Sequence, residues 1–555
     1  MKKYTFVVAV LALLLSSCSD FLDYNENSDY DQDKLFNTTW SNTEFVTGIY
    51  AYLPGRLNDV GGALRSSGCD ESEYVWPTSG IDRFYDGSWS AWRTVDDVWG
   101  HYYKAIRSCN DYLEHGTGKD WKEFEFQKDY AKMMRKYRNL EWEVKALRAY
   151  FYFELVKRYN NIPLITTVLT EEEANNQAPV SYQDIIEFIV KECDEVTAEG
   201  RLPAIYNADY DNETGRVSKI FAMALKARAL LYAASPLNNP AASTDPQKWI
   251  EAAKAAKAII DSAPSWNLSL VSFDKLLGAE NYKEAEMILV RRLGDTNELE
   301  RLNFPIGLEG GNGGNCPTQN LVDAYDMKAG CTFDPANPYV NRDPRLAYTV
   351  LCHGGNTAYG KTVDVSYNGL NGLPKEGATR TGYYLSKFVN TSISLTANST
   401  TSARHSIPLF RYAEILLIYA EAMNEAYGPN ATQGDLNLSA LEAINMVRGR
   451  AGLDIAPLTL DKVATKDAFR MALRKERMAE LAFEDHRFWD IRRWKIGPET
   501  VQIKRVAVTK EGEGYSYEYT TTSDRIWNDK MYFYPIPQGE LYKNAKLKQN
   551  PGWEI

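Results

Sequence analysis

EVKALRAYFYFELVKRYNNIPLI, residues 143–165, is the stretch whose reading decides the fold. Leu140, Val144, Leu147, Phe151 and Leu155 recur at steps of three and four, the spacing that places side chains on one face of a helix. The helix read from this stripe begins near residue 126. It stops at Asn160-Asn161, before Pro163, because that chemistry does not continue a helix. Working outward, the same periodicity recurs over residues 42–53, 96–114, 181–198, 217–234, 246–262, 404–427, 437–451 and 465–495.

Several of these stripes are rich in alanine, as in Ala224 and Ala227 between Ile220 and Leu231. Small residues let helices approach closely, which is the logic of tetratricopeptide-like stacking, although no strict repeat period is present. The helices are interrupted by long irregular insertions at about 55–95, 263–403 and 496–555. Such loops are uncommon in compact domains and often carry function. The expected fold is therefore mostly α, a scaffold of helix pairs with long irregular loops carrying the ligand site. The insertions interleave with the helices, so residues 41–555 read as one composite domain.

The N-terminus sets the compartment. Lys2 and Lys3 precede an apolar run that ends at Leu15-Ser16-Ser17-Cys18. The run is too short to span a bilayer and has the layout of a secretory signal. Its end resembles the lipobox of bacterial lipoproteins, in which the cysteine is acylated and becomes the mature N-terminus. Residues 1–17 are thus expected to be a signal peptide, Cys18 the lipidation site, and 18–40 an acidic tether. The six later cysteines are scattered; Cys316 with Cys331 is the most plausible local pair, and free thiols are the alternative.

A net charge of −11 argues against a nucleic-acid partner, since phosphate binding needs a basic face. Five histidines occur, with no HExxH, GxSxG or P-loop pattern. Glu480 and Glu484 lie one helical turn apart, but with Arg477 and Arg487 they read as a surface or inter-helix charge ladder rather than a glycosidase carboxylate pair. Asp29-x-Asp31-x-Asp33 and Asp209-x-Asp211-x-Glu213 resemble fragments of calcium loops. Both lack the sixth-position glycine and twelfth-position glutamate. No cofactor is expected, calcium being the one candidate considered.

The stretch RKERMAELAFEDHRFWDIRRWKIG (474–497) resembles the signature helix of SusD-like (RagB/SusD) outer-membrane lipoproteins of the Bacteroidetes. In the same order as in that family stand VWGHYYKAIRSCN (98–110), residues 143–165, TQNLVDAYDMKAG (318–330), NRDPRL (341–346), TGYYLSKF (381–388), PLFRYAEILLIYAEAMNEA (408–426) and FYPIPQGELYKN (533–544). The resemblance implies about four tetratricopeptide-like helix pairs, a lipid anchor in the outer membrane at the cell surface, and glycan binding through the loops without catalysis. It also implies a SusC-like TonB-dependent transporter as partner. A surface hydrolase or esterase and a peptide-binding lipoprotein are the competing readings.

Pyranose rings stack on aromatic faces while their hydroxyls seek polar groups. The 55–95 insertion supplies both, so the expected glycan contacts are Asp70, Tyr74, Trp76, Tyr85, Trp89 and Trp92, joined by Arg380 and Tyr383. Core packing is the competing role for each ring, and Trp99 and Tyr102 on the next helix are read as packing residues. The GGNGGN run at 310–315 is a candidate rim, with Asn312 or Asn315 reaching sugar.

Overall fold

A computed structural model describes residues 35–55, 57, 60–206 and 212–554. The signal peptide, Cys18, the first acidic triplet, and Asp209 and Asp211 of the second lie outside the described residues. The principal helices are α1 (Thr39–Tyr50), α2 (Trp99–Asp111), α3 (Tyr130–Tyr159), α4 (Tyr182–Thr197), α5 (Lys219–Ala234), α6 (Gln247–Ser262), α7 (Tyr412–Tyr427), α8 (Ala440–Arg448), α9 (Lys466–Glu480) and α10 (Arg487–Arg493).

The stripe that begins the sequence argument lies on α3, and from Ala146 to Tyr159 every residue is buried. A helix covered on all sides is an axis on which others pack. Accordingly α1, α2 and α4 lie against α3. The stack then continues α4 on α5, α5 on α6 and α6 on α7, with α8 and α9 both on α7. Ala224, Ala227, Ala252, Ala253, Ala256, Ala413 and Ala420 are fully buried along this series. Their methyl groups let successive helices approach, which is what the alanine stripes predicted. Ser181 with Asp184 and Ser439 with Glu442 form capping boxes that satisfy the first free N–H groups of α4 and α8. Among the described residues no helix is long and apolar enough to cross a membrane.

Three elements differ from the sequence reading. Helix α1 starts three residues early, capped by Thr38, so Thr39 and Trp40 belong to the scaffold rather than to the 18–40 tether. The helix expected over 404–427 is a strand, Ala403–Arg411, followed by α7. Pro408 cannot serve a helix interior, and in the strand it sits where the antiparallel pairing with Met287–Thr296 shifts register. The helix expected over 465–495 breaks between α9 and α10, where Phe483 and Asp485 take φ of 58° and 63°.

Among the described residues, five two-stranded antiparallel sheets organise the loops. Ser72–Tyr74 pairs with Asn315–Pro317, and Gln502–Glu511 pairs with Gly514–Asp524 as a hairpin inside the 496–555 insertion. A second hydrophobic cluster lies beneath these loops. It joins Val75, Cys316, Tyr383, Tyr384, Val506 and Val508 to Met478, Ala479 and Phe483. Residues 474–497 therefore face the helical core and the loop core together.

That position explains their charges. Glu480 is fully buried and accepts from Arg345 Nη1 at 2.8 Å, Arg411 Nη1 at 2.6 Å and Arg450 Nη2 at 2.6 Å. Glu484 pairs with Arg411 Nε and Lys387 Nζ, both at 2.7 Å. Farther along, Asp490 holds Arg477 and Arg493, each at 2.8 Å, and Arg493 also grips Glu421. Of the two roles expected for the ladder, surface or inter-helix, the surface one fails: the charges form an interior network crossing from α9 and α10 to strand 403–411 and the 341–346 turn. The six described cysteines are free thiols, and the Cys316–Cys331 pair is not formed.

Glu71 behaves oppositely to this network. It is buried, and one carboxylate oxygen has no hydrogen-bond partner. Burial pushes its carboxyl up to about 8, only partly opposed by the Phe483 N–H and Arg487. A carboxyl raised above its unfolded value of about 4.3 stabilises the fold below that value, and the contribution is lost as pH rises through the folded value. The unfolding free energy is expected to fall by about 2–3 kcal/mol from about pH 6 to about pH 9 from this group. In urea titrations Glu71→Gln should flatten that fall, and an unchanged slope in the variant would contradict the assignment.

Candidate functional site

The pairing of Ser72–Tyr74 with Asn315–Pro317 brings the 55–95 insertion against the GGNGGN run. Just beyond it, Trp76 is half-buried and donates its indole N–H to the Asn312 carbonyl at 2.6 Å. Its six-membered ring lies against Gly377. A β-carbon on Gly377 would meet Trp76 Cζ2 at 2.5 Å, and the residue has φ +73°, so glycine suits the position twice. Backbone from two distant segments thus fixes the ring while leaving part of it in solvent.

Tyr85 stands nearby, half-buried beneath the Arg525 guanidinium, which lies 4.1 Å from the ring centroid. Burial raises its phenol, moderated by Arg525, and the Glu73, Asp82 and Arg380 charges also act on it. Arg380 is 56% exposed at its side chain and sits 3.6 Å from Glu73 Oε1. Glu73 is itself buried, with Oε2 lacking a hydrogen-bond partner. The arrangement sets two part-exposed rings near an exposed cation, the Glu73 and Asp82 carboxylates and backbone polar groups. Chemically it can stack on an apolar face and hydrogen-bond at that face's edge.

The other expected contacts divide. Asp70 is buried and holds Arg487 through two bonds, at 2.9 and 2.8 Å, so it is structural. Tyr74 lies in the core beside the Ser72–Tyr74 strand's partner. Tyr383 is fully buried and donates to Gln319 Oε1. Trp89 is buried, edge-on to Phe84, Tyr534 and Trp553 at 5.0, 4.9 and 5.0 Å. These three rings and one carboxylate are corrections: a group buried among its neighbours offers no platform. Asn315 is likewise interior, its side chain accepting from the Leu64 N–H and Ser67. Trp92 is 62% exposed and meets Tyr542, 70% exposed, at 5.8 Å in an edge-to-face pair. The Gln538 N–H bonds the Ala91 carbonyl and holds these two segments together. Glu73, Arg525 and Tyr542 were missed. They are single residues on short elements, and nothing local marks which neighbour each will meet.

A stacked-helix scaffold bearing a second, loop-built layer with part-exposed aromatic rings defines a class of scaffold-and-loop binding folds. Residues 293–553 match the family model described as the SusD family. Among curated relatives, SusD-like protein P2 of Formosa agariphila is 31% identical over 160 residues, 28% of this chain and 27% of that protein. SusD-like protein P38 of the same organism is 25% identical over 99% of both chains. A solved SusD-like protein from Bacteroides fragilis NCTC 9343 superposes with a TM-score of 0.76 at 26% identity, covering 94% of this chain and 98% of that one. A second from that organism, described as a SusD-like carbohydrate-binding protein, gives 0.73 at 26% identity, over 93% and 100%. The chain is therefore similar to the SusD family over residues 293–553 and to SusD-like proteins along nearly its whole length.

Proposed function

We propose that this chain is a non-catalytic glycan-binding lipoprotein of the outer-membrane surface, which passes oligosaccharide to a SusC-like TonB-dependent transporter. The observation that carries the reading is the placement of Trp76 and Tyr85, part-exposed and clamped, beside Arg380, Glu73 and Asp82. The carbohydrate-binding neighbour from Bacteroides fragilis supports the ligand class. The lipobox-like Leu15–Cys18 stretch supports the anchor. Against catalysis at the 480–484 pair, both carboxylates are interior and held ionised by arginine or lysine partners, so neither is placed to protonate a leaving group.

Trp76→Ala is expected to weaken retention on a bound polysaccharide at least ~10-fold in affinity electrophoresis, about the loss of one stacking contact. Arg380→Ala is expected to weaken it less. The polysaccharide should be recovered unshortened. Wild-type retention by Trp76→Ala with Arg380→Ala would move the site elsewhere, and released oligosaccharides would replace the reading with a hydrolase.

A further inference from the structure

A groove of about 300 Å³ runs beside α2, walled across from it by residues 163–169 and by the helix Gln538–Lys543 with the chain that follows. Trp99, Tyr103, Ile165, Leu169 and Leu547 give it an apolar floor, and Tyr103, Ile165 and Leu169 are only half-buried. Its rim is basic. Lys104 and Arg107 line the groove, and Lys546 and Lys548 flank Leu547. Arg107 donates to the Leu169 carbonyl, and among the described residues Lys104, Lys546 and Lys548, all exposed, meet no carboxylate. Lys543 differs, since Glu540 holds it at 2.8 Å and Glu171 also acts on it. The acidic turn 171–174 adjoins that side, with Glu173 spent on capping Thr170, so the uncompensated cations are those of α2 and of 546–548. An apolar floor among such cations fits a segment that carries both carboxylates and apolar side chains.

We infer that this groove is the docking site of the chain's own residues 19–33. Their sequence, SDFLDYNENSDYDQD, carries six carboxylates and no cation, with Phe21, Leu22, Tyr24 and Tyr30 among them. Its charge answers the rim, and its apolar side chains answer the floor. Chain length allows the meeting. The described chain starts at Leu35, and the Phe36 ring lies 5.9 Å from Tyr112 and 6.5 Å from His115, in the turn that continues α2. The groove begins at Asn110 and follows α2 back to Trp99, a length of ~16 Å. Residues 19–34 reach at most ~55 Å when extended, so the segment can pass around α2 and lie along the whole groove with chain to spare. Seating orders about five residues, and an intramolecular partner meets its site at an effective concentration of order millimolar, which offsets that cost. Docked in this way the segment is a strap that fixes which side of the scaffold lies nearest residue 19. The inference takes nothing from the glycan reading and holds whether or not Cys18 is acylated.

The test is zero-length carbodiimide cross-linking of the full mature chain, read by mass spectrometry. Carboxylates of residues 19–33 are expected to join Lys104, Lys546 or Lys548 at least ~5-fold more often than Lys122 or Lys128. Those two are exposed and stand near Lys119, which donates to the Phe36 carbonyl, so a segment without a seat would reach them first. The preference should vanish at about 1 M salt. Lys104→Glu with Arg107→Glu should lower the yield at Lys546 and Lys548 at least ~3-fold. Phe21→Ser with Tyr24→Ser leaves the charge in place and should lower it by a similar factor, because the floor loses its partners. Equal joining of Lys122 and Lys128, or a preference indifferent to salt and to both pairs of substitutions, would overturn the assignment. Links between two chains in place of links within one would overturn it as well and make the occupant a second copy.

Discussion

Glu480→Ala is expected to lower the unfolding free energy by about 3–5 kcal/mol, the range for removing one partner of a buried ion network. The glutamate has no exposed surface, and Arg345, Arg411 and Arg450 all donate to it. Without it, three guanidinium groups are left in the interior with less compensation. Arg411 keeps Glu286 and Glu484, and Arg450 keeps Glu286, so the loss is one shared carboxylate rather than every bond. The pH dependence follows from the same contacts. Burial alone would raise the Glu480 carboxyl, but the three arginines outweigh it and hold the group well below the usual carboxylate range. A depressed folded value gives stability that is present above the unfolded value and lost only as pH falls through the folded one. This group therefore contributes no slope near neutrality, in contrast to Glu71. Urea midpoints at neutral pH check the prediction. A loss below about 1 kcal/mol, the size of an exposed ion pair, would show the network to be dispensable.

Trp89→Ala is expected to cost about 3–5 kcal/mol, whereas Trp76→Ala should cost about 1 kcal/mol or less. The two tryptophans lie thirteen positions apart in one irregular insertion. Trp89 fills a cage of Phe84, Tyr534 and Trp553, and its removal leaves a cavity that the surrounding rings cannot close. Trp76 loses one hydrogen bond to Asn312 and a partly solvated contact with Gly377. Thermal or urea unfolding of the two single variants separates them. Equal destabilisation would mean that Trp76 is a core residue too, and would weaken the case for it as a platform. Trp89 belongs to the packing, so joint replacement of both rings is a stability experiment as much as a binding one.

The helical scaffold was legible because its signal is local. A stripe at three-and-four spacing commits a segment to helix and names its buried face before any partner is known, as Leu140 to Leu155 do in α3. Alanine on that stripe likewise announces close helix contact. Where the local signal was mixed, the reading slipped. Residues 404–411 continued a helical spacing at Leu409 while carrying Pro408, and pairing with 287–296 decided for strand. The 502–524 hairpin has the two-residue alternation of a strand, but its apolar side chains became recognisable as a buried face only once Tyr339 met Tyr517 edge-on and Val506 and Val508 joined Tyr383 in one cluster.

The sequence by itself determined the stacked helices, their approximate ends, the lipobox-like start and the loops on which aromatic rings gather. Only the tertiary structure decided which rings face outward. An irregular loop has no periodic face, so Trp76, Trp89 and Trp92 look alike until distant segments close over one, clamp another and leave the third in solvent. The same holds for charge. Glu480 and Glu484 have the spacing of a surface or inter-helix ladder, and only Arg345, Arg411 and Lys387, brought from other parts of the chain, let them be buried as ions.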